Sequence, residues 1–339
     1  MMANTLAINK HKNILIVGKA ATDYARKEIA YINDYDEAYA LYGSSDLIDA
    51  LKVAWDFGVP DIFVMNLQEP KDYFEMIDIV QQSDFAYVVL SSVLLSDTFQ
   101  DNFHGGEIHS LIAYLMGKMG LDSNTTFIVT DKHASLYEDI DAYLKDMRSV
   151  QEEFLARCSG RANLRNVIFI ANNLESYKRA DIVLGSMLAS TDPWEYPISS
   201  YYGKAIFRID QWDIPGNMAY FRENYLRETT IENLLNMDRE NEPEKVVFID
   251  RIAKYILREL DFSEFKGRLY TEYQKLLFSQ KLNQELRQMV GTAIKEFEVK
   301  TITAEKDVDN PGTVIMTASV NVLPVNCFEV CTIKKEVEV

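Results

Sequence analysis

The chain has 339 residues, 47% hydrophobic and 12% aromatic, enough for one large or two ordinary domains with real cores, and this excludes a disordered chain. Its 35 Lys and Arg against 52 Asp and Glu leave a formal net charge of −17, which argues against sequence-independent binding of nucleic acid or an anionic membrane, since both need clustered cations. No window reaches the roughly 18 apolar residues of a membrane span, and residues 1–13 lack a signal-peptide pattern, so the expectation is a cytosol-like compartment without membrane insertion.

Residues 3–17 are extended in character. Leu6 and Ile8 lead into Ile14-Leu15-Ile16-Val17, a continuous apolar run that predicts a strand buried on both faces before Gly18. Residues 28–32 form a short strand. Asp34 or Asp36 caps a short helix that keeps Ala38, Leu41 and Tyr42 inward and closes at Gly43. Ser44 or Ser45 caps the next, in which Leu47, Ala50, Leu51, Ala54 and Trp55 hold helical spacing up to Gly58. Strands follow at 62–65, 85–90, 126–130 and 167–170, with helices at 70–80, 109–119 and 136–157. Such alternation predicts an α/β fold, a mostly parallel sheet covered on both faces.

Near residue 190 the rhythm changes. Asp192-Pro193-Trp194, Tyr196-Pro197 and Tyr201-Tyr202-Gly203 form one irregular connection and residues 212–216 another, so a linker or hinge belongs here. Helices are expected at 218–225 and 231–237. Residues 246–249 read as a short strand or as the start of the helix carrying Ile252, Tyr255, Ile256 and Leu260. A long helix is expected over 265–297, with Leu282, Leu286, Met289, Val290, Ala293 and Phe297 on one stripe and Lys281, Gln284, Gln288 and Lys295 opposite. Strands at 299–305 and 313–323 flank a turn at 307–312, with Val314, Met316, Ala318, Val320 and Val322 on one face. Pro324 ends that ladder. Beyond it, Cys331, Ile333, Val337 and Val339 alternate with Thr332, Lys334, Glu336 and Glu338. A terminal strand of this kind can pair with its own sheet or add to the sheet edge of another molecule. The expected layout is an arm and first strand at 1–20, an α/β domain at 21–190, an α+β domain ending in antiparallel strands at 191–323 and an extended arm at 324–339.

Sites for chemistry are sparse. Val17-Gly18-Lys19-Ala20-Ala21 follows a strand but has one glycine and no hydroxyl after the lysine, so it reads as a plain strand exit instead of a phosphate loop. His104-Gly105-Gly106-Glu107-Ile108-His109 groups two histidines and a carboxylate without the spacing of a two-histidine zinc helix. His11 and His133 are solitary. Leu184-Gly185-Ser186-Met187 lacks the second glycine of a nucleophile elbow and lies in a helical pattern. Cys327 and Cys331, about 13 Å apart if both lie on a strand rising roughly 3.3 Å per residue, cannot bridge, and Cys158 is isolated. No catalytic, cofactor or metal constellation emerges.

Across residues 30–66, Ile32-Asn33-Asp34, Glu37-Ala38, Leu41-Tyr42-Gly43, Leu47, Ala50, Val53-Ala54, Gly58 and the strand at 62–66 resemble the opening domain of contractile phage tail sheath proteins. In that family an extended piece leads into a short helix ending in Phe/Tyr-Gly, then a Leu-x-x-Ala helix, a Gly-containing turn and a Val-rich strand. Residues 246–260, the long amphipathic helix and the strand-Pro-strand finish at 314–333 are similar to the sheath C-terminal domain and arm. Residues 100–240 match by position only, a Gly- and Arg-rich segment is weakly matched at 212–239, and the short chain implies a minimal sheath.

The resemblance implies a non-enzymatic structural subunit without cofactors. Such subunits form rings or a helical array around an inner tail tube and donate terminal strands to neighbouring sheets, and such heterologous contacts propagate. The arm residues are then Leu6 and Ile8 at one end and Phe328, Val330, Cys331, Ile333 and Val337 at the other. Partners are further copies of the chain, the tail tube protein, and baseplate and terminator proteins, in a virion tail assembled in the host bacterial cytoplasm. Contraction is a rigid-body rearrangement that drives the tube through the target envelope. Lys281, Arg287 and Lys295 are expected to face an acidic tube. Two alternatives stay open on sequence alone: a small-molecule α/β enzyme using the loop at Gly18 or the pair His104 and His109, and a ring-forming adaptor of a tail or injection machine.

Overall fold

The computed structural model describes residues 9–69, 72, 73, 76, 85–101, 107–110, 112, 124–158, 164–177, 179–195, 204–207, 216–223, 229–237, 246–307, 310 and 312–339. The chain divides into two units, Met1–Glu240 and Asn241–Val339.

In the first unit the strands β1 (Asn13–Gly18), β2 (Ile29–Tyr31), β3 (Asp61–Asn66) and β4 (Tyr87–Leu90) precede a small hairpin, β5 (Thr98–Asp101) with β6 (Glu107–Ser110). Then come β7 (Thr126–Val129), β8 (Val167–Ile170), β9 (Met218–Glu223) and β10 (Thr229–Glu232), and the main sheet runs β10-β9-β8-β7-β4-β1-β3-β2. Only the β2–β3 and β9–β10 pairs are antiparallel. The expected mostly parallel α/β architecture is therefore present.

Local chemistry sets the helices of this unit. Asp34 caps α1 (Tyr35–Tyr42) by accepting from the Glu37 N–H at 2.9 Å, and Ser45 caps α2 (Asp46–Asp56) by accepting from Ile48 N–H at 3.4 Å. α2 covers the sheet with α3 (Ile140–Cys158) and α4 (Ala180–Ser190), and α1 packs on α2. Leu15, Val17, Val88 and Phe127 share one core cluster with Tyr143 and Met147 of α3. On the other face α4 approaches so closely that a Cβ on Gly185 would lie 3.1 Å from Ile14 and 3.2 Å from Val89 side-chain atoms. A side chain there would have to push these neighbours back by a few tenths of an ångström.

Three expectations need correction in this unit. Residues 218–223 are strand, not helix: Met218, Ala219, Tyr220 and Phe221 are all buried because β9 lies inside the sheet beside β8, so no period-two signal marks it. Residues 229–232 are the edge strand β10, where buried Thr229 and Ile231 alternate with half-buried Thr230 and Glu232. His109 opens no helix; residues 107–110 pair with β5. These strands also carry the unit well past residue 190. Most of the expected helix at 70–80, the rest of 109–119 apart from Ile112, which is helical and buried, and the connections at 196–203 and 212–215 lie outside the described residues.

The second unit holds α5 (Val247–Glu259), a tight turn at Ser263–Phe265, α6 (Glu272–Gln288) and the antiparallel sheet β11 (Ile294–Lys306), β12 (Val314–Pro324), β13 (Cys331–Glu338), with β12 central. The single helix expected over 265–297 is thus shorter. Thr271 caps α6 from its side chain, accepting from Gln274 N–H at 3.2 Å, and Gly291 with φ 92° turns the chain into β11. Ala293 and Phe297 keep their inward side through the turn and strand, which imitates helical periodicity. Phe278, Leu282 and Leu286 are the buried stripe of α6, with the Phe278 ring tilted against Phe262 at 4.7 Å and edge-to-face with Phe265 at 5.7 Å.

Candidate interaction surface

In an open α/β sheet ligands settle where the strand order reverses, outside the carboxyl ends of the strands. Here that place lies beyond β1 and β4; protein closes directly on it, and a cavity of about 240 Å³ remains beside it, lined in part by Asp46, Ser91, Tyr177, Arg179 and Ile182. A Cβ on Gly18 would sit 1.9 Å from Ser91 Oγ, so the loop after β1 presses directly on the loop after β4. Arg179 lies across the end of β4: its guanidinium donates to the carbonyls of Leu90 (2.8 Å), Ser91 (3.2 Å) and Val93 (2.8 Å) and pairs with fully buried Asp181 at 2.6 Å. Gly18 is the strand exit that the sequence indicated.

The neighbouring loop at 19–28 is clamped from below. Asn66, fully buried, donates through Nδ2 to the carbonyls of Thr22 (2.8 Å) and Tyr24 (3.0 Å) and accepts through Oδ1 from Ala20 N–H (3.1 Å) and Gln68 Nε2 (2.7 Å). Ala25 and Lys27 adopt left-handed backbone, φ 45° and 64°, which places Arg26 and Lys27 on Asp72 at 3.0 and 3.1 Å. Burial raises the Asp72 pKa, but the Glu69 N–H, the Lys27 ammonium, the Arg26 guanidinium and the Gln68 N–H outweigh it and hold the carboxyl below its ordinary value. A depressed folded pKa gives stability that is present above the unfolded value, about 3.9, and lost as pH falls through the folded one. Accordingly, Asp72→Asn is expected to melt well below wild type at neutral pH, with the gap closing in acid. A gap of equal size at every pH contradicts this role.

Other polar groups are structural. His133 accepts from Ser135 N–H at 3.3 Å and its Nε2 meets the Leu174 carbonyl at 3.0 Å, closing a tight turn. Burial pushes the Cys158 thiol up to about 12, leaving it inert. Cys327 lies in the loop before β13 and not on a strand, and like Cys331 it is unbridged. Among the described residues no three His, Cys, Asp or Glu could hold a metal ion. His104 and the His109 side chain lie outside them.

The terminal strand is built differently from an unattached arm. β13 pairs with β12 from Ile315↔Glu338 to Val322↔Cys331, and Val314 and Val339 exchange backbone hydrogen bonds of 3.1 and 2.8 Å, so pairing reaches the last residue. Cys331, Ile333, Val337 and Val339 are buried on the inner side with Met316, Ala318, Val320 and Val322. Lys335 reaches the Leu257 carbonyl in the last turn of α5 at 2.9 Å, where a cation suits the helix dipole. Of the expected arm residues, Cys331, Ile333 and Val337 are therefore paired at home. Phe328 (98% exposed) and Val330 (48%) stand out from the connecting loop, and Leu6 and Ile8 lie outside the described residues.

A second surface is the outward row of α6: Tyr273, Leu276, Gln280, Gln284, Arg287 and Gln288 are exposed at spacings of three and four. Its charges are Arg287 and, four residues before Leu276, the exposed Glu272. Lys281 turns aside, paired with Glu264 at 2.8 Å and 5.8 Å from the Phe262 ring centre. Lys295 is exposed on β11 and shares no helix face with the other two, a correction that follows from the turn at Gly291.

No protein-family model matches the sequence, and no curated protein matches it. Solved structures do. The sheath tail protein of Desulfitobacterium hafniense is 10% identical over 97% of both chains with a TM-score of 0.65. That of Listeria innocua is 12% identical over 97% of this chain and 95% of its own, with a TM-score of 0.61. The PVC sheath complex of an extracellular contractile injection system, in its contracted state, is 11% identical over 87% of this chain and 82% of its own, with a TM-score of 0.57.

Proposed function

We propose that this chain, whose fold is that of contractile tail sheath proteins, is the sheath subunit of a phage tail or a phage-like injection system. The observation that carries the reading is the fold likeness over 97% of the chain. Because a fold does not by itself fix a function, the surfaces must agree with it. They do so in three ways: Arg179 at the usual ligand crevice is committed to the carbonyls of Leu90, Ser91 and Val93, a terminal strand lies at a sheet edge behind an exposed loop, and α6 presents a mostly uncharged face on a chain of net charge −17.

In this reading the protein is not an enzyme. Copies polymerise around an inner tail tube, between a baseplate and a terminator, and the arms at Leu6 and Ile8 and at 328–337 pair with neighbouring subunits. Contraction rearranges the subunits as rigid bodies while those tethers hold. As a phage tail the machine would belong to a virion assembled in a bacterial cytoplasm. The tube contact is assigned to the outward row of α6, with Arg287 at its centre and Lys281 and Lys295 at its margins.

Sedimentation of the purified chain across a concentration series tests the sheath role: large polymers are expected, and a small particle of constant size contradicts it. For the tube contact, Tyr273→Ala with Arg287→Glu is expected to leave polymers that no longer pellet with assembled tube. Arg287→Glu alone changes little, since an exposed ion pair contributes about 0–1 kcal/mol. Unchanged co-sedimentation of the double variant removes this assignment.

A further inference from the structure

We infer that β13, paired at home, is a self-capping contact that blocks the isolated subunit from polymerising until the strand is released. The inference rests on the sheath reading and on the register of the C-terminal sheet. β13 covers the β12 edge with eight ladder pairs, closes onto Val314 with its last residue, and is pinned from the inner side by Lys335 on α5. One edge therefore serves both roles. While β13 stays, the subunit offers neither this strand to a neighbour nor a vacant β12 edge to receive one, although the outer edges of β11 and β13 stay open; when β13 leaves, donor and matching acceptor appear together.

The competition favours the closed form in a lone subunit. A strand moved to an identical sheet makes the same contacts there, so exchange gains little contact energy. Home pairing has the advantage of tethering, which gives the strand a high effective concentration beside its own edge. A neighbour competes only when its vacant edge is held close, as at the end of a growing polymer. The hinge sets how close. Residues 325–330 span at most about 20 Å when fully extended, at roughly 3.3–3.6 Å per residue, so only an adjoining subunit can be reached. In the hinge Phe328 and Val330 are exposed and Asn326 has φ 62°, and its ties include backbone bonds, Val325 N–H to the Ala293 carbonyl at 3.0 Å and Cys327 N–H to the Pro324 carbonyl at 3.3 Å.

Locking the hairpin tests this. Thr332 Oγ1 lies 3.0 Å from Asn321 Oδ1 across the ladder, so Asn321→Cys with Thr332→Cys, in a background of Cys327→Ser and Cys331→Val, can staple β13 to β12. The oxidised protein is expected to stay as single subunits at concentrations where the same protein, once reduced, polymerises like its unstapled background. Polymers from the oxidised protein overturn self-capping while leaving the sheath role intact. Failure of the reduced protein, the background and the wild-type chain alike to polymerise at any concentration overturns both.

Discussion

Truncation after Pro324 is expected to abolish polymerisation, and a synthetic peptide of residues 325–339 is expected to bind the truncated chain but not the intact one. Removing β13 uncovers the β12 edge and the inner-face side chains that Cys331, Ile333, Val337 and Val339 cover. Full burial of such side chains contributes about 1.5–3 kcal/mol each at most, so together they are comparable with the 5–15 kcal/mol that holds a typical domain. The second unit then loses order unless a strand is supplied from outside. Fluorescence anisotropy of the labelled peptide measures that supply. Binding to the truncated chain alone means that the edge accepts a strand in trans and that the native strand occupies it in the intact chain. A truncated chain that polymerises normally removes the terminal strand from the account.

The second large effect concerns Arg179. Replacing it with Met leaves the Asp181 carboxylate buried without its cation and deprives the Leu90, Ser91 and Val93 carbonyls of a donor. Breaking one side of a buried pair costs about 3–5 kcal/mol, whereas replacing both sides with apolar groups is often neutral. Chemical denaturation is therefore expected to show a large loss for Arg179→Met and a substantial recovery when Asp181→Leu is added. Equal unfolding midpoints for wild type and Arg179→Met contradict this role.

Much of the first unit was legible because its signals are local. Asp34 and Ser45 before apolar periodicity, Gly43 and Gly58 after it, and the run Ile14 to Val17 each define an element without reference to the rest of the chain. β9 was not legible, since Met218, Ala219, Tyr220 and Phe221 are buried on both sides by neighbours distant in sequence. The end of α6 was missed for a related reason: Ala293 and Phe297 continue the inward pattern across the turn at Gly291, and a period of three to four survives where the helix does not. Arg179, Asn66 and Asp72 carried no sequence signal. Each gains meaning from carbonyls and loops brought to it by the sheet, 42 to 89 positions away in the bonds from Arg179 and Asn66 across the sheet ends. The terminal strand was readable as a strand with the correct inward residues, but its alternation fits home pairing and donation equally, so only the structure places it on β12.

The measurement that bears most directly on the central claim is electron microscopy of the purified full-length chain over rising concentration. The account predicts hollow tubes or stacked rings of uniform diameter, in which density for residues 331–338 runs into the sheet of an adjoining subunit. Dispersed particles at every concentration, or tubes in which each β13 stays on its own β12, contradict it.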